Sequence, residues 1–245
     1  GITLDSGEVI EADAVIANAD ASLIYNVLIK GKLRKIKKVR KNIAKADASL
    51  AGFSLLLGMR KDGSEPLNHH TVLFPKDYDA EFDAIFSYKQ PVSEPTIYIC
   101  APGDEAMSKD ELFEGWFVLV NAPAHGQESF DWNDAEFARK YANTIIDQIE
   151  ARGISVRSRL ESITIRTPAD LESAVRAPGG SIYGTSSNGA RAAFMRAKNR
   201  SPIKGLYCVG GSAHPGGGLP LVGLSAEMVA NAIGSAQSGQ PLKSH

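Results

Sequence analysis

Gly205-Leu-Tyr-Cys-Val-Gly-Gly-Ser-Ala-His-Pro-Gly-Gly-Gly-Leu-Pro-Leu-Val-Gly-Leu-Ser-Ala-Glu-Met-Val-Ala-Asn-Ala-Ile-Gly234 is the stretch on which the fold turns. Leu206 to Val209 is a short apolar run that opens directly into glycine, the pattern of a buried parallel strand. Gly210, Gly211, Gly216, Gly217 and Gly218 follow, then Pro220 and an apolar segment rich in small residues. Pro220 suits the first turn of a helix, where its missing N–H breaks no intrahelical bond. The stretch therefore predicts strand, glycine-rich turn and helix. Such a turn lets the backbone approach a ligand closely, and the helix N-terminus offers unpaired N–H groups and a partial positive charge. The spacing is not Gly-x-Gly-x-x-Gly and no Lys-Ser/Thr pair follows, so neither common phosphate loop fits.

Leu206 to Pro220, with Gly223-Leu-Ser-Ala behind it, resembles the C-terminal flavin motif of the phytoene desaturase family, the carotenoid desaturases and isomerases. The resemblance implies an α/β fold with an α+β substrate domain. It would be part of a two-domain, Rossmann-like FAD/NAD(P)-binding flavoprotein whose substrate domain carries a mixed or antiparallel sheet. In that family the segment passes beneath the ribityl chain, and its helix points at the N1/O2 edge of the isoalloxazine, where a reduced flavin is negatively charged. Carried onto this chain, the motif makes Gly210, Gly211, Ser212, Gly217, Gly218, Leu219, Pro220, Leu221 and Val222 the FAD-binding set. His214 is the titratable group beside it, read either as a proton carrier or polariser, or as a turn histidine bonded to backbone.

Working outward, residues 1–20 predict a hairpin turning at Asp5-Ser6-Gly7, then a buried strand Ala14–Ala17 ending at Asn18-Ala19-Asp20. Asn18 and Asp20 read as helix caps or as flavin contacts at strand carboxyl ends. Residues 30–45 hold nine Lys/Arg and no acid, with Leu33, Ile36, Val39 and Ile43 on one helical stripe. Two readings stand: a helix docking on anionic lipid as a peripheral membrane contact, or a solvated helix packing its stripe on its own core. No aromatic residues interleave the charges, so no nucleic acid partner is expected.

The middle predicts strands at Ser49–Gly58, Thr71–Phe74, Pro95–Cys100 and Glu114–Val120, forming a half-covered antiparallel sheet. Asp77–Ser87 reads as a short helix with Tyr78, Phe82, Ile85 and Phe86 on its apolar side. Asn133 is the expected cap of a longer helix bearing Phe137, Tyr141, Ile145, Ile146 and Ile149, stopped by Gly153. Leu160–Arg166 reads as a strand and Thr167-Pro168 as the start of another helix. Ser187, Asn188 and Arg191 face the active-site cleft on one reading and an exposed loop on the other. The domain boundaries that follow are 1–47 for part of the FAD-binding domain, 48–178 for the substrate-binding domain and 179–245 for the rest of the FAD-binding domain.

Composition is that of an ordinary globular protein, 43% hydrophobic and 22% charged. No apolar run approaches the roughly 20 residues of a membrane span and no signal peptide opens the chain, so a cytoplasmic, peripheral location is expected. Cys100 and Cys208 sit in apolar runs and read as buried thiols. His69-His70 are adjacent but no His-x-x-x-His occurs, so no metal site is expected. The nucleotide-binding Gly-x-Gly-x-x-Gly of the resembled family is not matched. The expectation is therefore the C-terminal half of a longer enzyme, binding FAD weakly or not at all by itself.

With no triad and no evident carboxylate dyad, the chemistry is expected to lie in the cofactor, the protein positioning an apolar polyene against it. The leading reading is an FAD-dependent desaturase taking hydride from a carotenoid. A polyene isomerase, a retinol-type saturase, or a non-catalytic lipid-binding module are the rivals.

Overall fold

The strict alternation of apolar side chains in Phe53, Leu55, Leu57 and Met59 makes β4 (Ala51–Arg60) a two-faced strand, and all four are buried. The computed structural model describes residues 1–45, 49–63, 65–103, 112–182, 184 and 196–234, so Ser187, Asn188 and Arg191 lie outside the described residues. The chain divides into two units. One comprises Gly1–Ser49, Val175–Pro178 and Ile182–His245, the other Leu50–Ala174 and Gly179–Ser181.

In the second unit β4 is the spine of a five-stranded antiparallel sheet. On one side it pairs along its length with β7 (Phe113–Ala122), from Ala51 opposite Ala122 to Arg60 opposite Phe113. On the other side lies β8 (Leu160–Arg166), which supplies a fifth strand where four were expected. β6 (Ile97–Cys100) adds to β7, and β5 (His70–Leu73) closes the far edge, giving the order β5-β6-β7-β4-β8. The covered face packs Phe53, Leu55, Ile99 and Val118 with Tyr141, Ile145 and Ile149 of the helix α3 (Ala135–Glu150) in one core.

The opposite face is left open. Side chains directly across from one another share a face, so two rungs cross it. One runs Val72, Tyr98, Leu119, Ser54 and Arg166; the next runs His70, Cys100, Phe117, Leu56 and Thr164. Leu56 and Val72 are each 44% exposed, and Cys100 is half-buried rather than buried as its apolar setting suggested. The half-covered sheet of the sequence reading is thus present, with one apolar face uncovered within this unit.

Two local expectations change. The cap of α3 is Asp134, whose carboxylate accepts from the N–H groups of Glu136 (2.8 Å) and Phe137 (3.0 Å). Asn133 is instead held by Asp131, its N–H and its amide both donating to Asp131 Oδ1. A carboxylate at the positive end of the helix outcompetes the neighbouring amide. The short helix also differs: α2 (Asp79–Phe82) widens into a π-type turn over Asp83–Ser87. That widening shifts its facing positions, so Ile85 alone of the expected apolar set is buried. Phe74, Tyr78, Phe82 and Phe86 form a partly exposed chain of ring contacts instead. Buried Glu81 accepts from Thr96 N–H (2.8 Å) and the Asn121 amide (2.7 Å), which satisfies its carboxylate. α4 (Pro168–Val175) starts as expected, Thr167 and Asp170 exchanging capping bonds.

In the first unit, β1 (Ile2–Thr3) and β2 (Val9–Ile10) form the expected hairpin. β3 (Val15–Ala17) pairs in parallel with β9 (Leu206–Cys208). β3 is not a buried strand in this unit: Ile16 is 55% exposed, because the described residues build only a two-stranded sheet here. Residues 30–45 do not form one helix. Gly31 turns the chain at φ 88°, a 3-10 turn covers Arg34–Ile36, and α1 spans Lys37–Ile43. Ile36 is buried, and Val39 and Ile43 pack with it against Ile24, Tyr25 and Cys208, whereas Leu33 stays exposed. Most of the apolar stripe therefore serves this unit's own core. The chain ends its described course in α5 (Leu219–Ile233). Among the described residues, no helix is long and apolar enough to cross a membrane.

Asp134→Ala is expected to lower stability by about 1 kcal/mol, and Asn133→Ala by less; urea denaturation of the two variants compares them directly.

Candidate functional site

β9 ends at Cys208, and Val209 leads from it into the glycines. Gly210 follows at φ 102°, and a Cβ there would collide with the Asn18 side chain. Asn18 directly follows β3, so the parallel pairing sets the glycine of one strand end against the amide of the other. Farther along, Gly211 and Gly217 come within contact: a Cβ on Gly211 would lie 3.5 Å from Gly217 Cα. His214-Pro215 between them is a cis peptide. Gly218, at φ 96°, is the N-cap of α5 and has no side chain to cap with. A Cβ on Gly218 would meet nothing within 4 Å among the described residues. The first intrahelical bond runs from Val222 N–H to Gly218 O (2.9 Å), and Pro220 contributes no N–H. Leu219 and Leu221 therefore bring their N–H groups to an uncapped helix start facing open space, the electrostatic setting that favours a negatively charged ligand edge.

The loop is held from behind by residues that the sequence did not single out. The Asn199 amide lies 3.2 Å from Cys208 O, 2.8 Å from His214 O and 3.0 Å from Ser225 Oγ. Ser225, fully buried on α5, also accepts from Gly210 N–H at 3.3 Å. One amide thus ties strand end, loop and helix together. Arg196 donates to Gly211 O at 2.9 Å, and burial pulls its guanidinium below the ordinary arginine value. No periodicity marks Asn199 or Arg196, and only the long-range pairing of β9 reveals their purpose.

The nine residues expected at the flavin lie on one strand–loop–helix element, but their side chains face different ways. Ser212 Oγ accepts from Ala21 N–H (2.9 Å) and contacts Ala19 O (3.4 Å), so it fastens the loop to the segment after β3. Asp20 is a cap: its Oδ1 accepts from Ser22 N–H at 2.8 Å and from the Ser22 hydroxyl at 2.5 Å. The His214 backbone is fixed at both ends, its N–H donating to Ala197 O (2.9 Å) and its O receiving Asn199. Among the described residues its ring makes no hydrogen bond. Leu219 is 90% exposed, and Leu221, Leu224 and Met228 present further apolar surface along α5. Below the loop, the buried Cys208 thiol faces the Tyr25 hydroxyl at 3.6 Å, and burial pushes both groups above their ordinary pKa values.

The amino-acid sequence aligns over nearly its whole length with characterised enzymes. It is 33% identical over 236 residues to hydroxyneurosporene desaturase of Rubrivivax gelatinosus, covering 95% of this chain and 43% of that protein. It is 34% identical over 236 residues to 1-hydroxycarotenoid 3,4-desaturase of Flavobacterium sp. (strain P99-3), covering 95% and 46%. A zeta-carotene-forming phytoene desaturase of Myxococcus xanthus is 34% identical over 237 residues, covering 94% and 43%. The chain belongs to the phytoene desaturase family. It spans less than half the length of these relatives. No family model matches it.

For this phytoene desaturase family chain, the glycine loop and α5 are the element around which the candidate site is assembled. A second feature of the same unit is a 230 Å³ cavity lined in part by Lys35, Lys38, Arg196, Lys198 and Arg200, with Tyr25 and Val39 as apolar wall. Arg40 is unlike its basic neighbours. Its guanidinium donates to Tyr25 O (2.7 Å), Ile29 O (2.7 Å) and Gly31 O (2.9 Å), closing the carbonyl end of the preceding helical turn.

Asn199→Ala leaves buried loop carbonyls without their donor and is expected to cost about 1–3 kcal/mol. Amide hydrogen exchange should report faster opening at Gly210 and Ala213 in that variant, with Tyr98 and Val118 of the sheet unchanged.

Proposed function

We propose that the protein is an FAD-dependent oxidoreductase that desaturates a carotenoid or related apolar polyene. The observation that carries this reading is the uncapped start of α5 behind Gly218, where positive-φ backbone faces open space. These residues fit a flavin: among the described residues nothing lies within 4 Å of the Gly218 Cβ position, and the helix start favours negative charge. Leu219 and Leu221 would hold the cofactor through their N–H groups, and Gly211, Gly217 and Gly218 through bare backbone. When bound, FAD supplies the hydride acceptor that an unactivated hydrocarbon needs. In the other unit, the open sheet face offers Val72, Tyr98, Leu119, Leu56 and Phe117, apolar or aromatic surface suited to a hydrocarbon chain. The relatives' own names, a hydroxyneurosporene desaturase and a phytoene desaturase among them, support the same substrate class.

An absorbance spectrum of the full-length gene product, purified with added FAD and mixed anaerobically with a polyene, tests the proposal. Blue-absorbing flavin bands that bleach with substrate are the expected result. A folded, colourless protein that still retains the polyene would replace the oxidoreductase with a lipid-binding module. Gly218→Ala is expected to cost about 1–3 kcal/mol of stability through its backbone conformation, its Cβ meeting no atom of the described residues within 4 Å. It should nevertheless lower flavin retention steeply, and wild-type flavin content in that variant would remove the loop from the cofactor site.

A peripheral membrane contact through residues 30–45 is supported by the charge that remains outside the core. Lys35 and Lys38 line the basic cavity, and no acid interrupts the run. Replacing Lys35, Lys37 and Lys38 with Gln, while leaving the structural Arg40, should weaken sedimentation with anionic liposomes and flatten its salt dependence.

A further inference from the structure

Successive residues in a strand point to opposite faces, so His69-His70 in a regular strand could not converge on one atom. Here β5 begins only at His70, and His69 lies in the bend before it. The two imidazole centroids are 4.4 Å apart. Antiparallel pairing sets Cys100 of β6 directly opposite His70, and Ala101 N–H donates to His69 O at 2.9 Å, which fixes the backbone around the pair. One ligand atom from each of His69, His70 and Cys100 consequently lies within 4.8 Å of the others. The Tyr98 hydroxyl stands 2.8 Å from His70 Nδ1, and the two rings stack at 5.9 Å.

We propose that His69, His70 and Cys100 form a binding site for a borderline-soft divalent metal ion of the zinc class. Two imidazoles and a thiolate suit that class, whereas magnesium and calcium take oxygen ligands. Three protein ligands leave a fourth tetrahedral position for water or another donor. Ligand atoms about 2.0–2.3 Å from the ion stand roughly 3.5 Å from one another. The spread of up to 4.8 Å must therefore contract by about 1 Å, which exposed imidazoles accomplish by side-chain rotation. Tyr98 occupies Nδ1 of His70, so Nε2 is the nitrogen offered to the ion, and the tyrosine oxygen is the outer partner that orients the ring. The bound ion would join the first residue of edge strand β5 to β6 and resist fraying there. The site shares Tyr98 and the open sheet face with the polyene reading but rests on the ligand geometry alone.

Co2+ titration of the full-length protein, with Zn2+ as competitor, is the test. The expected result is a near-ultraviolet thiolate-to-cobalt band in the difference spectrum, saturating at about one ion per chain and displaced by Zn2+. Cys100→Ser should abolish the band, and Cys208→Ala should leave it, since the Cys208 thiol is buried against Tyr25. His69→Ala and His70→Ala, at exposed positions where truncation opens no cavity, should each weaken Co2+ binding by about tenfold or more. Zn2+ should raise the melting temperature of the wild type but not of His70→Ala. No thiolate band in the wild type, a band that persists in Cys100→Ser, or an affinity unchanged in both histidine variants would overturn the site.

Discussion

The parallel pairing of Val15–Ala17 with Leu206–Cys208 is the constraint on which the first unit depends. Asn18 directly follows one strand and Gly210 follows the other after Val209, so the register sets those two against each other. Ser212 and Asn199 then lock what the pairing has brought together. The glycines of the loop consequently answer to different requirements. Gly210 is required by a protein neighbour, because any Cβ would enter the space of Asn18. Gly218 has no such neighbour among the described residues; its positive-φ backbone alone is what disfavours larger residues there.

The second unit follows a different logic. β4 is bonded on both edges, so its alternating side chains define two faces of unequal fate. Phe53, Leu55, Leu57 and Met59 are covered by α3, while Leu56 on the other side stays 44% exposed. An apolar side chain left in contact with water costs free energy in proportion to its area. A sheet face with Leu56, Val72, Phe117 and Leu119 in two adjacent rungs is therefore a surface suited to an apolar ligand. Of the polar side chains in those rungs, His70 and Tyr98 are hydrogen-bonded to each other, and Arg166 and Thr164 lie on β8 at the edge of the face.

Much of this was legible in the amino-acid sequence because local signals and the tertiary outcome agree. The run from Leu206 into five glycines and Pro220 gave strand, loop and helix with the boundary displaced by a single residue at Val209. Leu160–Arg166 and the stripe of α3 were equally readable from periodicity. What stayed hidden was set by distance along the chain. Asn199 lies in a segment without pattern, and its three acceptors come from β9, the loop and α5. Cys100 read as a buried thiol because its strand is apolar, whereas its place opposite His70 on the open face depends on the β5–β6 register. The basic segment was misjudged in length because Gly31 interrupts it and Arg40 is drawn away to three carbonyls. Asp134 rather than Asn133 caps α3: its carboxylate accepts from two N–H groups of the first turn, while Asn133 is held by Asp131.

One unit lies almost wholly within a single stretch of chain and the other is split around it, which bears on the order of assembly. Leu50–Ala174 contains every strand of the five-stranded sheet and the helix that covers it, so this unit needs only Gly179–Ser181 from later in the chain. The other unit cannot form its strand pair until Leu206–Cys208 has been synthesised, long after Val15–Ala17 has left the ribosome. Pairings of such high contact order close slowly, and their early partner waits unpaired. Val15–Ala17 thus lacks its β9 partner throughout synthesis of Leu50–Ala174, and the loop that follows β9 takes its place only after the other unit's sheet is complete.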